Sequence, residues 1–277
     1  MNLDLDLALK AALEAAIASR KVLQIYYGRL VKISEKDRAG LVSEADVESE
    51  KACWQVLKTY FPDFRMLGEE GTDSTNQNIL DEDQGVWIVD PLDGTTNYIH
   101  QFPFFSISIA LYFEKRLQIG LVDAPMLNKT YYAVRGKGAF YDGGIDKVSG
   151  VRLAVSKRQG VENALMSTGF NAYDKNALKS QIAIFSELVG RSRGIRRAGS
   201  AALDLCFVAE GVFDAYWETS LQPWDMAAGA LIVAEAGGQV TNEKGEPYTV
   251  SSKSIVAGNT HIHSEVISAI KKSCQNL

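Results

Sequence analysis

The sequence predicts a mixed α and β protein in two halves. In the first half, two amphipathic helices precede short alternating segments that are typical of an antiparallel meander. In the second half, short apolar runs alternate with helical patterns, which favours an α/β arrangement. Glycine and small polar residues from Gly143 to Gly150 separate the two patterns. We therefore expect an N-terminal half over residues 1–146 and a C-terminal half over residues 147–277.

The N-terminal region carries two helical patterns. Leucine and isoleucine recur at helical spacing from residue 3 to about residue 27, where Gly28 ends the pattern. A polar connector, Ser34 to Gly40, leads to a second helix that begins after Ser43 and reaches about Tyr60. Asp46 lies three residues after Ser43, and this spacing fits a capping box. A metal-site role for Asp46 remains an alternative of equal weight.

A short apolar strand, Phe64 to Leu67, ends at the adjacent acids Glu69 and Glu70. Two neighbouring glutamates on a surface are usually only solvated. Here, however, they follow one predicted strand in the same way that Asp90 follows the next predicted strand, Val86 to Val89. Carboxylates at the ends of neighbouring strands can converge on one ion, so Glu69 is a candidate metal ligand.

The segment from Val86 to Asn97 is the most informative part of the chain. Its four leading apolar residues predict a buried strand, and this strand should stop at Asp90 because Pro91 cannot donate to a sheet. Asp93 follows at once, before a glycine and small polar residues that suit a turn. Two carboxylates this close repel each other unless a cation lies between them, and Mg²⁺ is the hard cation that oxygen ligands favour. The alternative is a solvated Asp-Gly turn.

The remaining elements follow from alternation and helical spacing. The predicted meander strands are Phe105 to Phe113, Leu117 to Val122, Thr130 to Val134 and Ala139 to Tyr141. The predicted strands of the second half are Asn163 to Ser167, Gly194 to Arg197, Phe213 to Glu218 and Ile255 to Gly258. Its predicted helices are Lys175 to Val189, a helix opened by Gly199 and running to Ala209, Asp225 to Ala236, and His263 to Cys274.

Asp225 begins one of these helices, directly after Trp224. An acid at this position can simply complement the helix dipole. Trp224 and the small residues that follow Asp225 predict a buried, tightly packed helix start, however, and a buried carboxylate needs a cation. Asp225 is therefore a second candidate anchor for a metal ion.

Composition narrows the functional classes. The chain is 46% hydrophobic with a net charge of −5 and only short basic runs, which argues against non-specific nucleic-acid binding. Cys53, Cys206 and Cys274 are widely spaced, as expected of reduced thiols. We predict a cytoplasmic protein without a membrane partner, since neither a signal-peptide pattern nor an apolar stretch of membrane-spanning length is present.

Three motifs carry a resemblance to a known family: Gly68-Glu69-Glu70, Asp90-Pro91-Leu92-Asp93-Gly94-Thr95-Thr96-Asn97 and Trp224-Asp225-Met226-Ala227-Ala228-Gly229. Together they resemble the inositol monophosphatase family of Mg²⁺-dependent, lithium-sensitive phosphatases. Two further segments, Ser43-x-x-Asp46 and Gly199-Ser200-Ala201-Ala202, fit as well. The resemblance runs in order over nearly the whole chain. It implies an α+β or α/β fold, a layered αβαβα sandwich of the sugar-phosphatase type, and usually a homodimer.

The resemblance also implies a set of site residues and two or three Mg²⁺ ions per site. The implied metal ligands are Glu69, Asp90, the Leu92 carbonyl, Asp93 and Asp225, with Asp46 near a weaker third ion through water. The implied catalytic residues are Glu69, Thr95 and Asp93. The implied substrate-binding residues are Leu92, Asp93, Gly94, Thr95, Gly199, Ser200, Ala201, Glu218 and Asp225.

These residues predict hydrolysis of a phosphate monoester by in-line attack of an activated water between two metal ions. Glu69 and the Thr95 hydroxyl would orient the water, and the N–H groups of Gly94 and Thr95 would hold the phosphate. Glu218 would bind a polyol hydroxyl, or else is an exposed acid at a strand end. No residue suggests a covalent phosphoenzyme.

Several substrates and one other class of function remain open. Inositol 1-phosphate is the first candidate, and fructose 1,6-bisphosphate, histidinol phosphate and nucleotide phosphates are alternatives that the metal motifs do not separate. A regulatory protein that binds the transcription machinery is the alternative of a different class. The basic cluster Arg191, Arg193, Arg196 and Arg197 could serve such a partner, although a dimer contact or a solvated face is favoured.

Overall fold

The computed structural model describes residues 3–30, 32–36, 40–71, 80, 84–144 and 150–275. The helices are α1 (Leu5–Tyr26), α2 (Glu44–Tyr60), α3 (Thr95–Ile99), α4 (Lys175–Val189), α5 (Ala201–Ala209), α6 (Pro223–Glu235) and α7 (Thr260–Gln275). The strands are β1 (Ile33–Lys36), β2 (Gly40–Ser43), β3 (Arg65–Gly68), β4 (Val86–Asp93), β5 (Ser106–Phe113), β6 (Arg116–Ala124), β7 (Lys129–Val134), β8 (Gly138–Asp142), β9 (Val151–Arg152), β10 (Leu165–Thr168), β11 (Gly194–Arg196), β12 (Ala215–Thr219), β13 (Gln239–Thr241) and β14 (Ser254–Gly258).

In the described part of the chain, the strands form two large sheets and a hairpin. The seven-stranded sheet has the order β3-β4-β5-β6-β7-β8-β9 and is antiparallel except for the pair β3-β4. The five-stranded sheet has the order β11-β10-β12-β14-β13, with β10 parallel to both of its neighbours. Strands β1 and β2 pair separately.

Packing arranges these elements in five layers. Helices α1 and α2 cover one face of the seven-stranded sheet, and α6 with α5 covers the other face. The same α5–α6 layer packs against the five-stranded sheet, whose far face is covered by α4 and α7. This order confirms the predicted layered αβαβα sandwich. Helix α6 is apolar nearly all round because it is enclosed between two sheets.

The structure corrects three expectations. The first large strand does not stop at Asp90, because pairing between β4 and β5 resumes at Asp93 opposite Ser106 after a local irregularity. The connector from Ser34 to Gly40 contains strand residues that pair across the β1–β2 hairpin. Strands β9 and β13 were not predicted, since two or three residues are too few for a periodic signal.

Several other expectations can be placed on the structure. The predicted boundary between residues 146 and 147 lies outside the described residues. Cys53 and Cys206 are buried free thiols, and the Cys274 side chain lies outside the described part. Within the ranges that the structure describes, no helix is both long and apolar enough to cross a membrane.

One buried ion pair joins the first two layers. Arg20 on α1 donates from Nε to Asp123 Oδ2 on β6 at 2.7 Å, and its Nη2 contacts the other carboxylate oxygen. Thr130 donates to Asp123 Oδ1 at 2.7 Å. The Asp123 side chain is completely buried, and burial raises its pKa although Arg20 opposes this shift. The pair is therefore costly to bury and depends on both partners.

Close packing of α6 on the sheet requires Gly120 of β6, and we expect Gly120→Ala to destabilise the protein. A Cβ atom there would lie 2.6 Å from the backbone oxygen of Ala228, which cannot move aside without shifting the helix. The expected loss is about 1–3 kcal/mol in the free energy of unfolding, measured by denaturant titration. Gly190→Ala is the control, because no atom of the described residues lies within 4 Å of the added carbon, the glycine's own neighbours aside. Equal stability of the two variants would contradict this account of the packing.

Candidate active site

The end of β4 presents two buried carboxylates. The Leu92 backbone N–H donates to Asp90 Oδ1 at 2.9 Å. Asp93 Oδ2 accepts from the Ser200 hydroxyl at 2.6 Å and from the Ala202 backbone N–H at 2.8 Å, both at the start of α5. Asp93 thus links the seven-stranded sheet to the central helix layer, while each acid keeps one oxygen that these bonds do not use.

The turn after β4 joins these acids to helix α2. Gly94 has a φ of 96°, which favours glycine. The hydroxyl of the next residue, Thr95, lies 2.8 Å from Asp46 Oδ1 and 3.1 Å from the Leu92 carbonyl oxygen. Asp46 also accepts from the backbone N–H and the hydroxyl of Ser43, which confirms the predicted capping box. Asp46 therefore has two roles: it caps α2 and fixes the Thr95 side chain.

Asp225 enters the site from the first turn of α6. Its Oδ2 accepts from the Gln222 backbone N–H at 2.7 Å, as in a capping box. The Ser108 hydroxyl of β5 donates to the Trp224 carbonyl at 3.0 Å and ties this helix start to the strand beside β4. The buried helix start that the sequence predicted is therefore present, and it faces the end of β4.

A cavity of about 150 Å³ lies where these elements meet. It is lined by Asp93, Gly169, Arg197, Gly199, Ser200, Ala201, Glu218, Leu221 and Asp225. Six of the predicted site residues thus share one cavity: Asp93, Gly199, Ser200, Ala201, Glu218 and Asp225. Of the other predicted site residues, Asp90 and Leu92 lie in β4, Gly94 and Thr95 lie at the start of α3, and Glu69 follows β3.

The carboxylates of this site repel one another. Burial raises the pKa of Asp90 well above its usual range, and the charges of Glu69, Asp93 and Asp225 raise it further. Burial likewise raises the pKa of Asp93 to about 6, although its bonds to Ser200 and Ala202 oppose the shift. The pKa of Asp225 is raised well above its usual range by burial and then by Glu69 and Asp93.

Such a set of buried oxygen ligands fits a hard cation, because added positive charge would relieve both the burial cost and the repulsion. Among the described residues, no three acidic, histidine or cysteine side chains are already grouped closely enough to hold a metal ion together. This agrees with the bonds above: Asp90, Asp93 and Asp225 each have one oxygen held by a backbone N–H or a hydroxyl.

A further buried acid shapes the segment that carries Glu69. Glu50 on α2 accepts from the backbone N–H of Glu70 at 2.9 Å. A Cβ atom at Gly68 would lie 2.3 Å from the Glu50 carboxylate, so this carboxylate packs directly under the backbone there. Glu50 therefore holds the end of β3 in place, and its role is in the scaffold rather than in the cavity.

Comparison with known proteins agrees with this geometry. A model of the inositol monophosphatase family matches residues 4–275. The chain belongs to the inositol monophosphatase family. This match confirms the resemblance that the three acidic motifs indicated.

Relatives within the inositol monophosphatase family carry several names. The chain is 38% identical to the Nus factor SuhB of Pseudomonas aeruginosa over 270 residues, covering 96% of this chain and 95% of that protein. It is 36% identical to a fructose-1,6-bisphosphatase/inositol-1-monophosphatase of Aquifex aeolicus, with 95% of each chain covered. A solved Thermotoga maritima IMPase has a TM-score of 0.85 at 32% identity, covering 97% of this chain and 98% of that one.

Two further residues of this inositol monophosphatase fold were not predicted as site residues. Asp204 of α5 is 1% exposed, its Oδ1 has no hydrogen-bond partner among the described residues, and its pKa is raised well above the usual range by burial and then by Glu218 and Asp93. Arg197 lines the cavity. The sequence offered Arg196 and Arg197 as weak candidates for holding a nucleotide substrate and otherwise favoured a dimer contact or a solvated face for them. Asp204 could have been found, because it is the one charged residue in an otherwise apolar helix.

Proposed function

We propose that the protein is a Mg²⁺-dependent phosphatase that hydrolyses inositol 1-phosphate or a related sugar or polyol phosphate. The observation that carries this proposal is the convergence of four mutually repelling acids, Glu69, Asp90, Asp93 and Asp225, beside a small cavity. Phosphate is a dianion, so an acidic cavity can bind it only if metal ions reverse the local charge.

Mg²⁺ would be held by Glu69, Asp90, the Leu92 carbonyl, Asp93 and Asp225. When bound, it supplies the positive charge that binds phosphate, acidifies water and stabilises the leaving oxygen. The bonds from Ser200 and Ala202 fix Asp93, so this ligand needs little rearrangement. Ser106 pairs with Ser200 at 3.1 Å and extends the same support to β5.

The attacking water is oriented by Thr95 and Glu69. When the Thr95 hydroxyl donates to Asp46, as its 2.8 Å distance allows, its oxygen lone pairs face away from that bond and can accept from a water. Glu69 then serves as the acceptor for the proton that leaves the water. The N–H groups of Gly94 and Thr95 lie at the start of α3 and would hold the phosphate oxygens.

Thr95→Ala is expected to lower kcat by about 10²-fold without weakening Mg²⁺ binding, because it removes the acceptor for the water and none of the metal ligands. Steady-state kinetics over a range of Mg²⁺ concentrations measures both quantities. Thr95→Ser keeps the hydroxyl and should retain most of the activity. An unchanged kcat in Thr95→Ala would remove the hydroxyl from the mechanism.

Glu218 is placed to recognise the alcohol part of the substrate. It lies on β12, lines the cavity together with Asp93, and accepts a hydrogen bond from Tyr216. Burial raises its pKa to about 7, so the carboxyl exists in both forms near neutral pH and can bind hydroxyl groups as donor or acceptor. A polyol with several hydroxyls satisfies such a group better than a simple alkyl phosphate does.

Phosphate release from a panel of esters tests the proposal. Inositol 1-phosphate, fructose 1,6-bisphosphate, histidinol phosphate and a 2′-nucleotide should be compared, with Mg²⁺ and with or without Li⁺. We expect turnover that requires Mg²⁺, is reduced by Li⁺ and is fastest with the inositol ester. Folded, metal-loaded protein that releases phosphate from none of these esters would refute the proposal.

Mg²⁺ is expected to stabilise the fold, and more so at about pH 8 than at about pH 5. The pKa values of Asp93 and Glu218 are raised in the fold from 3.8 and 4.5 to about 6 and about 7. Metal-free protein therefore loses stability as the pH rises from these lower values through the raised ones. Mg²⁺ binds the ionised acids and offsets this loss. Thermal melts with and without Mg²⁺ at the two pH values measure the effect. A larger Tm increase at the lower pH would contradict the assignment.

We also propose a cytoplasmic homodimer, as the resemblance to the family implied. Light scattering of the purified protein would give the mass of the assembly directly. A monomer at micromolar concentration would contradict the dimer.

A second candidate function is binding to the transcription machinery, alone or beside catalysis. It is favoured by the similarity to a protein named a Nus factor and by exposed arginines such as Arg193 and Arg196. Binding of purified RNA polymerase and Nus factors by wild-type and Asp93→Asn protein tests it. Binding by both proteins would support a role that does not need catalysis, and binding by neither would exclude it.

A further inference from the structure

A second cavity, of about 320 Å³, lies against the C-terminal half of α6. Helix α6 contributes Ala230, Leu231 and Ala234 to its wall, and none of its lining residues lines the active-site cavity. We call it the α6 cavity. It is twice as large as the active-site cavity, which leaves room for a molecule with a ring.

The wall of the α6 cavity is largely apolar and includes two aromatic side chains. Tyr112 comes from the end of β5, and Tyr248 comes from the segment between β13 and β14. With Leu117 and the small residues of α6 they form surfaces on which a planar ring can pack. A ligand with a flat apolar body therefore fits this wall better than a sugar does.

Three cations lie at the same cavity: Lys115, Arg116 and Arg135, all exposed. Arg135 is fixed by a bond from its Nε to the Leu117 carbonyl. In the part of the chain that the structure describes, none of the three forms an ion pair with a carboxylate. The whole chain has a net charge of −5, whereas the mouth of this cavity carries three positive charges. This local positive charge favours the binding of an anionic group there.

The turn that carries Lys115 has an unfavourable backbone. Glu114 and Lys115 have φ values of 51° and 58°, in the region that normally favours glycine. A two-residue turn between β5 and β6 requires this pair of φ values. The tight hairpin therefore fixes the backbone of Lys115 at the mouth of the cavity.

The α6 cavity is connected to the active site through helix α6. This helix carries Asp225 in its first turn and lines the cavity with its last turns. Tyr248 also lines the cavity, and among the described residues its buried hydroxyl has no hydrogen-bond partner. This hydroxyl can therefore bond to a ligand in the cavity.

We propose that the α6 cavity binds a small anion with a planar aromatic body and one phosphate, sulfonate or carboxylate group, and that its occupation changes turnover at the active site through α6. The body packs between Tyr112, Tyr248 and the helix, while the anionic group meets Lys115 and Arg116. The binding part of this proposal is independent of the proposed phosphatase activity, and the turnover part rests on it.

Titration calorimetry with naphthalene-2-sulfonate tests the binding, since a phosphatase cannot hydrolyse this probe. We expect one site per chain in Mg²⁺-loaded protein. Ala234→Phe should abolish binding, because Ala234 is exposed and a phenyl ring there fills the cavity without disturbing the core. The double variant Lys115→Glu with Arg116→Glu should weaken binding about tenfold or more. Arg152→Gln, which changes an exposed cation on β9 that does not line the cavity, should bind like the wild type.

Two results would overturn the binding: no heat with the wild type, or unchanged affinity in Ala234→Phe. For the coupling, the phosphate-release rate at saturating probe should change in the wild type and stay constant in Ala234→Phe. A rate that is the same with and without probe in the wild type would overturn the coupling. Arg152→Gln, which lies outside the cavity, should keep the basal phosphatase activity and respond to the probe like the wild type, which distinguishes failure of this site from failure of the proposed function.

Discussion

Asp93→Asn and Asp225→Asn are each expected to lower kcat by about 10³-fold or more while the protein stays folded. Each change removes one negative charge from the acidic group and leaves the shape of the side chain intact. Asp93 would then hold Mg²⁺ poorly, although its amide oxygen can still accept from Ser200 and Ala202. Asp225 keeps its bond from the Gln222 backbone N–H in the same way.

Steady-state phosphate release at saturating Mg²⁺, together with a thermal melt, separates the two effects. Without Mg²⁺, both variants should melt at or above the temperature of the wild type, because a buried charge with a raised pKa has been removed. Asp6→Asn, a change at an exposed ion pair with Lys137, serves as the control and should have full activity. Near wild-type turnover in either active-site variant would remove that acid from the metal site.

Asp123→Asn is expected to destabilise the protein by about 3–5 kcal/mol without a direct effect on the active site. The change leaves the Arg20 guanidinium, only 11% exposed, without its carboxylate partner between α1 and β6. An unpaired buried charge costs far more than the loss of a surface ion pair. Urea denaturation gives the free energy of unfolding, and kcat of the folded fraction should remain close to the wild-type value.

A double variant tests the cause of this loss. Arg20→Met with Asp123→Leu removes both charges, so it should recover most of the stability that Asp123→Asn loses. If the double variant were as unstable as the single one, the loss would come from packing and not from the unpaired arginine. Lys137→Gln, which breaks an exposed ion pair with Asp6, should change stability by less than about 1 kcal/mol.

Much of the candidate site was predictable because its acids lie where elements begin or end. Asp90 and Asp93 follow an apolar run, and Asp225 follows a tryptophan at the start of an alanine-rich helix. Local patterns of this kind are reliable, because such sequences can form few structures other than a buried strand or a buried helix start. The layer order was predictable only through the resemblance to the family.

The rest depends on contacts between distant parts of the chain. Asp204 is buried near the charges of Glu218 and Asp93 only because α5 packs between two sheets. Arg197 lines the cavity only through the turn before that helix. The continuation of β4 to Asp93 depends on Ser106 pairing across from it, which overrides the local effect of Pro91. No spacing within a single segment carries such information.

The position of Asp225 on α6 has a consequence for synthesis of the protein. About 130 residues separate Asp93 from Asp225 along the chain. At ribosomal elongation rates this interval lasts roughly 7 to 26 seconds. During that time the nascent chain carries an acidic strand end, but neither Asp225 nor the covering helix α6 has been made. The apolar face of the seven-stranded sheet that α6 will cover is exposed for the same period. We therefore expect this face to need shielding from aggregation until synthesis of α6 is complete.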